Sequence, residues 1–247
     1  MIWYFAFFAA LGLVLGSFGN VVIVRVANSE RLTGRSHCVA CLKKIPWYDL
    51  FPVLSWLFLS GRCRFCRRHI SVRYPLVEIV SALIFVAAFA WYPEDFSRAL
   101  ITGVLITVLF FTCVFDALYQ RLPDIFTIII GFFALALVGI KGDFKSALIG
   151  AAIPAVWFAV QWLLSRGRWV GSGDVFLGAA LGLWLGHAGS ITMLVLSYIT
   201  GALTVTAFLL TGKITPGQKR ISFAPFLGIG AVLAWLGIGE MYLALLK

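Results

Sequence analysis

The chain has 247 residues, a formal net charge of +10, 62% hydrophobic residues and only 12% charged ones, with a mean hydropathy of +0.99. A soluble globular domain carries roughly a quarter charged residues, so this composition excludes one and predicts an integral membrane protein. Once topology has accounted for the positive charge, no basic stripe interleaved with aromatics is left over, and nucleic-acid binding is not expected.

Apolar runs almost free of charge fall at 2–24, 76–92, 99–115, 125–140, 146–165, 175–190, 191–211 and 222–246. Each approaches the ~17–25 residues that a helix needs to cross a bilayer. The expected fold is therefore all-α and polytopic, with about eight transmembrane helices. The weakest boundary lies inside 175–211, where only His187 and the stretch from Gly186 to Gly189 divide two runs that would otherwise merge. A seven-span alternative stays open there.

The first run lacks the basic opening of a secretory signal. Its first charge, Arg25, follows the apolar stretch, so the span is expected to be retained, with its N-terminus outside and the next loop inside. Alternating from there, the inside segments 25–75, 116–124, 166–174 and 212–221 hold all the basic residues except Arg98, Lys141, Lys145 and Lys247. That distribution obeys the positive-inside rule and suits anionic lipid headgroups. The expected organisation is a first transmembrane helix (1–24), a small cytoplasmic zinc-binding loop domain (25–75) and a transmembrane core (76–247).

The loop holds four of the five cysteines: Cys38 and Cys41 form one C-x-x-C, Cys63 and Cys66 a second. Two such knuckles offer tetrahedral S₄ coordination of zinc. Two disulfides are the competing reading, disfavoured because cytosolic thiols stay reduced and adjacent basic residues favour thiolates. With four thiolates the zinc site is closed, so its role is structural. His37 and His69 flank the knuckles and read as surface residues. Cys113 reads as a small core residue, although it precedes Asp116 by three positions and so shares its helical face.

Two acids stand out. Asp116, in CVFDALYQRLPD, ends the third span, and Asp174, in GSGDV, begins the sixth. Both fall at the inside face of the membrane, where an ionisable group is costly and marks a candidate site. For Asp174 alone, a helix-capping role is an equal reading. Two carboxyls close together share a proton across one water, which is the equipment of an aspartic protease. The flanking glycines would let an extended substrate backbone approach Asp174. A non-enzyme reading, a transporter or scaffold relaying protons through the pair, also accommodates intramembrane acids but not their shared depth beside glycine turns.

These motifs resemble those of the prepilin peptidases, bacterial membrane aspartic proteases of the GxGD type, along nearly the whole chain. GSFGNVVIVR (16–25) is similar to the family's opening motif; the two knuckles, with GRC (61–63) and RYPLVE (73–78), to its cytoplasmic domain; DALYQRLPD (116–124) and GSGDV (171–175) to its two catalytic motifs; and KRISFAPFLGIG (219–230) to its closing segment. The resemblance implies that Asp116 and Asp174 are the catalytic pair. It further implies a bacterial inner-membrane enzyme that cuts the basic leader from type IV prepilins or from pseudopilins on the cytoplasmic face. Many members then N-methylate the new terminus with S-adenosylmethionine, an activity associated with the cysteine loop; a peptidase that has lost methylation is the narrower alternative. The chain departs from the pattern at Phe176, where many members have lysine. Ser222 and Ala224 replace a proline and a glycine of the closing motif, which bears on contacts to the substrate or to the second carboxylate. Asp124 reads as a first-turn acid after Pro123, and Glu78 is open between a structural hydrogen bond and a part in methyl transfer. A basic leader gains nothing from a basic loop, so membrane depth and the apolar helix after the cut must position it, unless Glu30, Asp49 and Glu78 gather into an acidic spot.

Overall fold

The computed structural model describes residues 1–212 and 222–237. They form α1 (Ile2–Ala27), α2 (Leu54–Phe58), α3 (Arg73–Trp91), α4 (Phe96–Tyr119), α5 (Asp124–Lys141), α6 (Phe144–Ser165), α7 (Ser172–Leu210) and α8 (Ala224–Trp235). Among the described residues no strand forms, only two isolated bridges in the cysteine loop. Six helices, all but α2 and α8, are long and apolar enough to cross a membrane. The expected last run is helical over α8; its end, together with the basic loop 213–221 and Lys247, lies outside the described residues. The chain divides into two compact units, Met1–Thr107 and Val108–Lys247.

In the first unit α1 packs along α3. Helices in lipid gain no hydrophobic drive toward each other and associate through close backbone contact, which small residues permit. Gly12 and Gly16, one turn apart, supply it. A Cβ on Gly12 would stand 2.6 Å from Ala82 Cα, and one on Gly16 would stand 2.7 Å from Glu78 Cα. Aromatic rings close the other end of the pair: Phe8, Phe85 and Phe89 are buried together with Ala99, and the Phe8 and Phe89 rings stack at 4.9 Å.

The second unit contains a reversal within a single long helix. α7 is 39 residues long, roughly 58 Å at 1.5 Å per residue, about twice the hydrocarbon thickness. Gly186, at φ 74° and ψ −178°, interrupts it. Before the break, Gly178 meets Phe158 and Pro154, and Gly182 meets Pro154, so the chain descends along α6. After it, Ser190 Oγ donates to Gly150 O at 2.8 Å and Tyr198 Oη bonds Gln161, so the chain ascends. Ser190 Oγ also lies 3.4 Å from Gly182 O, eight residues back, which a straight helix cannot allow. α7 is thus a hairpin of two limbs, 172–185 and 187–210. The two runs expected from sequence are separate, divided four residues earlier than expected. His187 seals the turn, its Nδ1 2.8 Å from Ser146 Oγ. α8 lies against the second limb through Gly230, packed on Ser197, and against α4 through Gly228, packed on Cys113.

Candidate active site

Asp116 occupies the last turn of α4, and its side chain turns inward, 6% exposed. Leu109, Thr112 and Asp116 recur at helical spacing and are all buried, so the carboxyl caps an interior stripe. Asp116 Oδ2 accepts the Ala224 N–H at 3.2 Å, and its carbonyl accepts from Ser222 Oγ at 2.9 Å. Cys113 Sγ, on the same face, lies 3.4 Å from Ala224 O. The start of α8 therefore clasps the end of α4. Sequence reasoning singled out Ser222 and Ala224 only as departures and looked for their effect at the substrate or the second carboxylate; the contacts fall on the first, Asp116. The serine hydroxyl that a proline lacks makes one of them.

Asp174 is the third residue of α7 and 7% exposed. Its Oδ2 accepts the N–H of Gly171 at 3.0 Å, the reach-back of an acid to the residue before a helix. The N-cap is Gly171 and not Asp174 as the capping reading had it; the acid caps from the third helical position and stays in place for chemistry. Gly173 has a use different from the expected one: a Cβ there would stand 2.9 Å from Leu122 Cβ, so its bareness lets the start of α7 press against the segment that follows Asp116. Gly171 is less crowded, its Cβ position being 3.4 Å from Asp174 Oδ2. Asp116 and Asp174 lie within electrostatic reach of each other. The result is two buried carboxyls, each held through one oxygen by one backbone N–H. Such a pair can hold one proton between them and act as acid and base. Asp124, by contrast, is exposed at the first position of α5 after Pro123. Phe176 is exposed.

The cysteine loop builds a second site. In each knuckle the first cysteine donates its N–H across a tight turn, Cys38 to Lys43 O at 3.0 Å and Cys63 to Arg68 O at 2.9 Å. Leu42 and Arg67, each following the second cysteine, take matching positive φ values of 59° and 60°. The bridges His37 to Lys44 and Arg62 to His69 close the two turns. All four sulfurs lie within 4.8 Å of one another, and Cys38 Sγ is 3.9 Å from Cys66 Sγ. A tetrahedral ion with metal–sulfur bonds of ~2.3 Å needs sulfurs roughly 3.8 Å apart, so the four cysteines fit a metal. Burial pushes the Cys38 thiol up, but backbone N–H groups of Cys41 and Ala40 and the neighbouring thiols bring it down to about 7. At Cys66 the Arg68 backbone lowers the thiol, while burial and the other three cysteines push it up to about 11. Four crowded thiols thus favour one thiolate over four, a conflict that a dication removes.

The opening motif holds this loop by its ends. The buried Arg25 guanidinium donates to four successive carbonyls, Leu32, Thr33, Gly34 and Arg35, at 2.7 to 3.3 Å. Asn20 Nδ2 donates to Tyr74 O at 3.0 Å. Glu78 takes the structural hydrogen bond that sequence left open, accepting the Val53 N–H at 2.7 Å. The acidic spot left open as the exception does not assemble: Glu30 bonds Asn28 Nδ2, Asp49 is bidentate with Arg64 at 2.6 and 2.7 Å, and Glu78 is spent on Val53.

Two family descriptions match the chain: the bacterial peptidase A24 N-terminal domain over residues 10–92 and the type IV leader peptidase family over 103–206. A prepilin leader peptidase/N-methyltransferase of Myxococcus xanthus (strain DK1622) is 34% identical over 230 residues, 89% of this chain and 68% of the relative. Its counterpart in Bacillus subtilis (strain 168) is 33% identical over 91% of each chain. The type 4 prepilin-like proteins leader peptide-processing enzyme of Escherichia coli O78:H11 is 33% identical over 94% of this chain and 91% of the relative. No solved structure matches the chain.

Proposed function

The chain belongs to the type IV leader peptidase family, and we propose that Asp116 and Asp174 are its cleaving pair, removing the basic leader of a prepilin or pseudopilin at the cytoplasmic face of the bacterial inner membrane. The observation that carries this is two buried carboxyls, each engaged through a single Oδ2, on segments that meet where Gly173 touches Leu122. The protonated member gives its proton to the scissile carbonyl oxygen while the ionised one takes a proton from water. The water oxygen bonds to the carbonyl carbon, giving a tetrahedral diol. The departing amine then takes a proton from the carboxyl that received one, the C–N bond breaks, and one diol hydroxyl returns its proton to the other carboxyl, leaving a carboxylic acid product and the pair with its shared proton. Ala224 and Gly171 N–H groups orient the two carboxyls by holding the oxygens that do not act.

The N-methyltransferase half takes S-adenosylmethionine as donor and belongs to the 25–75 domain, between the first helix (1–24) and the peptidase core (76–247). Cys38, Cys41, Cys63 and Cys66 hold zinc, which shapes the loop without acting on the substrate. The inside position of the loop and an outside N-terminus follow from its share of the basic residues. Incubating the full-length protein with a prepilin peptide, with and without S-adenosylmethionine, and weighing the products tests the reading. A leaderless product that gains a methyl group only with the donor is expected; an uncut peptide would overturn it.

A further inference from the structure

Residues 47–58 are built inside out for a water-facing loop. In α2 the buried residue is Ser55, whose hydroxyl donates to Tyr48 O at 3.2 Å, while Leu54, Leu57 and Phe58 line the outward face one turn apart. Phe58 is 85% exposed. Trp47 and Phe51 continue that apolar surface, their rings 6.2 Å apart and both exposed.

The position of this segment along α3 is also determined. Val53, immediately before α2, takes φ 60°, costly for a β-branched residue, and donates its N–H to Glu78. Glu78 lies five residues into α3, roughly 7–8 Å along its axis. Trp56 Nε1 meanwhile donates to Ile70 O at 3.1 Å, fixing the inner side of α2 against the second knuckle. The outward apolar face is therefore level with the first turns of a membrane span. The knuckles carry exposed Lys43, Lys44, Arg62, Arg67 and Arg68, whereas Asp49 is neutralised by Arg64.

We infer that residues 47–58 lie in the headgroup–acyl boundary of the leaflet beside α3, with Trp47, Phe51, Leu54, Leu57 and Phe58 against lipid and the knuckle cations on anionic headgroups. Apolar faces of interfacial helices enter this boundary by ~5–10 Å, which matches the depth of Glu78. Aromatic residues and basic clusters are the groups that favour it. The basic loop, which repels a basic leader, is thereby explained by lipid. The inference goes beyond the cleavage reading and does not depend on it.

The test uses the full-length protein in nanodiscs of phosphatidylethanolamine and phosphatidylglycerol, doped with a phospholipid bearing a diazirine high on its acyl chain. After irradiation and digestion, lipid adducts on 47–58 should reach yields comparable to those on the exposed span residues Val14 and Leu83. A Leu57→Ser, Phe58→Ser variant that retains its metal should lose most of them. Replacing phosphatidylglycerol by phosphatidylcholine should lower them; unchanged yields would overturn the headgroup contact. Labelled spans beside an unlabelled 47–58, or crosslinks from 47–58 to a second copy in place of lipid, would overturn the inference as a whole.

Discussion

The carboxyl pair and the cysteine cluster are held together by different physics. Asp116 and Asp174 sit on helices held by close contacts at glycines, Gly178 and Gly182 of α7 against α6, Gly228 of α8 against Cys113 of α4, and Gly173 against Leu122, and backbone N–H groups finish the alignment. The cysteine loop has few buried apolar residues, and many large ones, such as Trp47, Leu54 and Phe58, face outward. Its order comes from two short turns, an arginine on four carbonyls and four sulfurs at metal spacing. A site made by packing is sensitive to volume, and a site that a metal would order is sensitive to ligand loss. Each should therefore break under a different insult.

The largest effect is expected at the pair itself. Asp116→Asn and Asp174→Asn remove one partner of the proton exchange without changing volume, and leader cleavage should fall by about 10²–10⁴-fold or more, the usual share of general acid–base catalysis. Zinc content, measured by elemental analysis, should not change. Full cleavage by either folded variant would remove the basis of the assignment.

Volume is the next lever. Gly173→Ala forces a Cβ against Leu122 and should cost about 1–3 kcal/mol of local strain, read as a loss of cleavage with the protein still inserted. Leu122→Gly in the same chain should restore activity, because it removes the Cβ that the new methyl would meet; no rescue would mean that Gly173 acts other than by packing. Ser222→Ala deletes one hydrogen bond to the Asp116 carbonyl, about 1 kcal/mol, and should lower cleavage only severalfold in a peptide assay. Asp124→Asn is the smallest change: an exposed acid in the first turn contributes ~0.3–1 kcal/mol to helix stability, and cleavage should stay near that of the parent.

The features legible in sequence were those carried by local pattern. Apolar run length gave the spans, C-x-x-C spacing the sulfur cluster, and charge isolation Asp116 and Asp174. What stayed hidden depends on contacts between distant positions. Gly186 looked like a weak boundary because one glycine with positive φ, and no polar loop, makes the reversal. The Glu78 bond to Val53 spans 25 residues and the Ser222 bond to Asp116 spans 106, distances over which no periodicity speaks. Gly173 was visible as a glycine, but whether it faces a substrate or Leu122 is decided only by packing.

The separability of the two sites is tested most directly by weighing the prepilin product of a Cys38, Cys41, Cys63 and Cys66 quadruple serine variant supplied with S-adenosylmethionine. A metal-free variant, still inserted, should deliver a shortened pilin whose new N-terminus carries no methyl group, because Asp116 and Asp174 are held by Ala224 and Gly171, whereas the proposed metal would order the loop. A normally methylated product would remove the loop from methyl transfer, and an uncut prepilin would contradict the claim that the pair stands without the metal site.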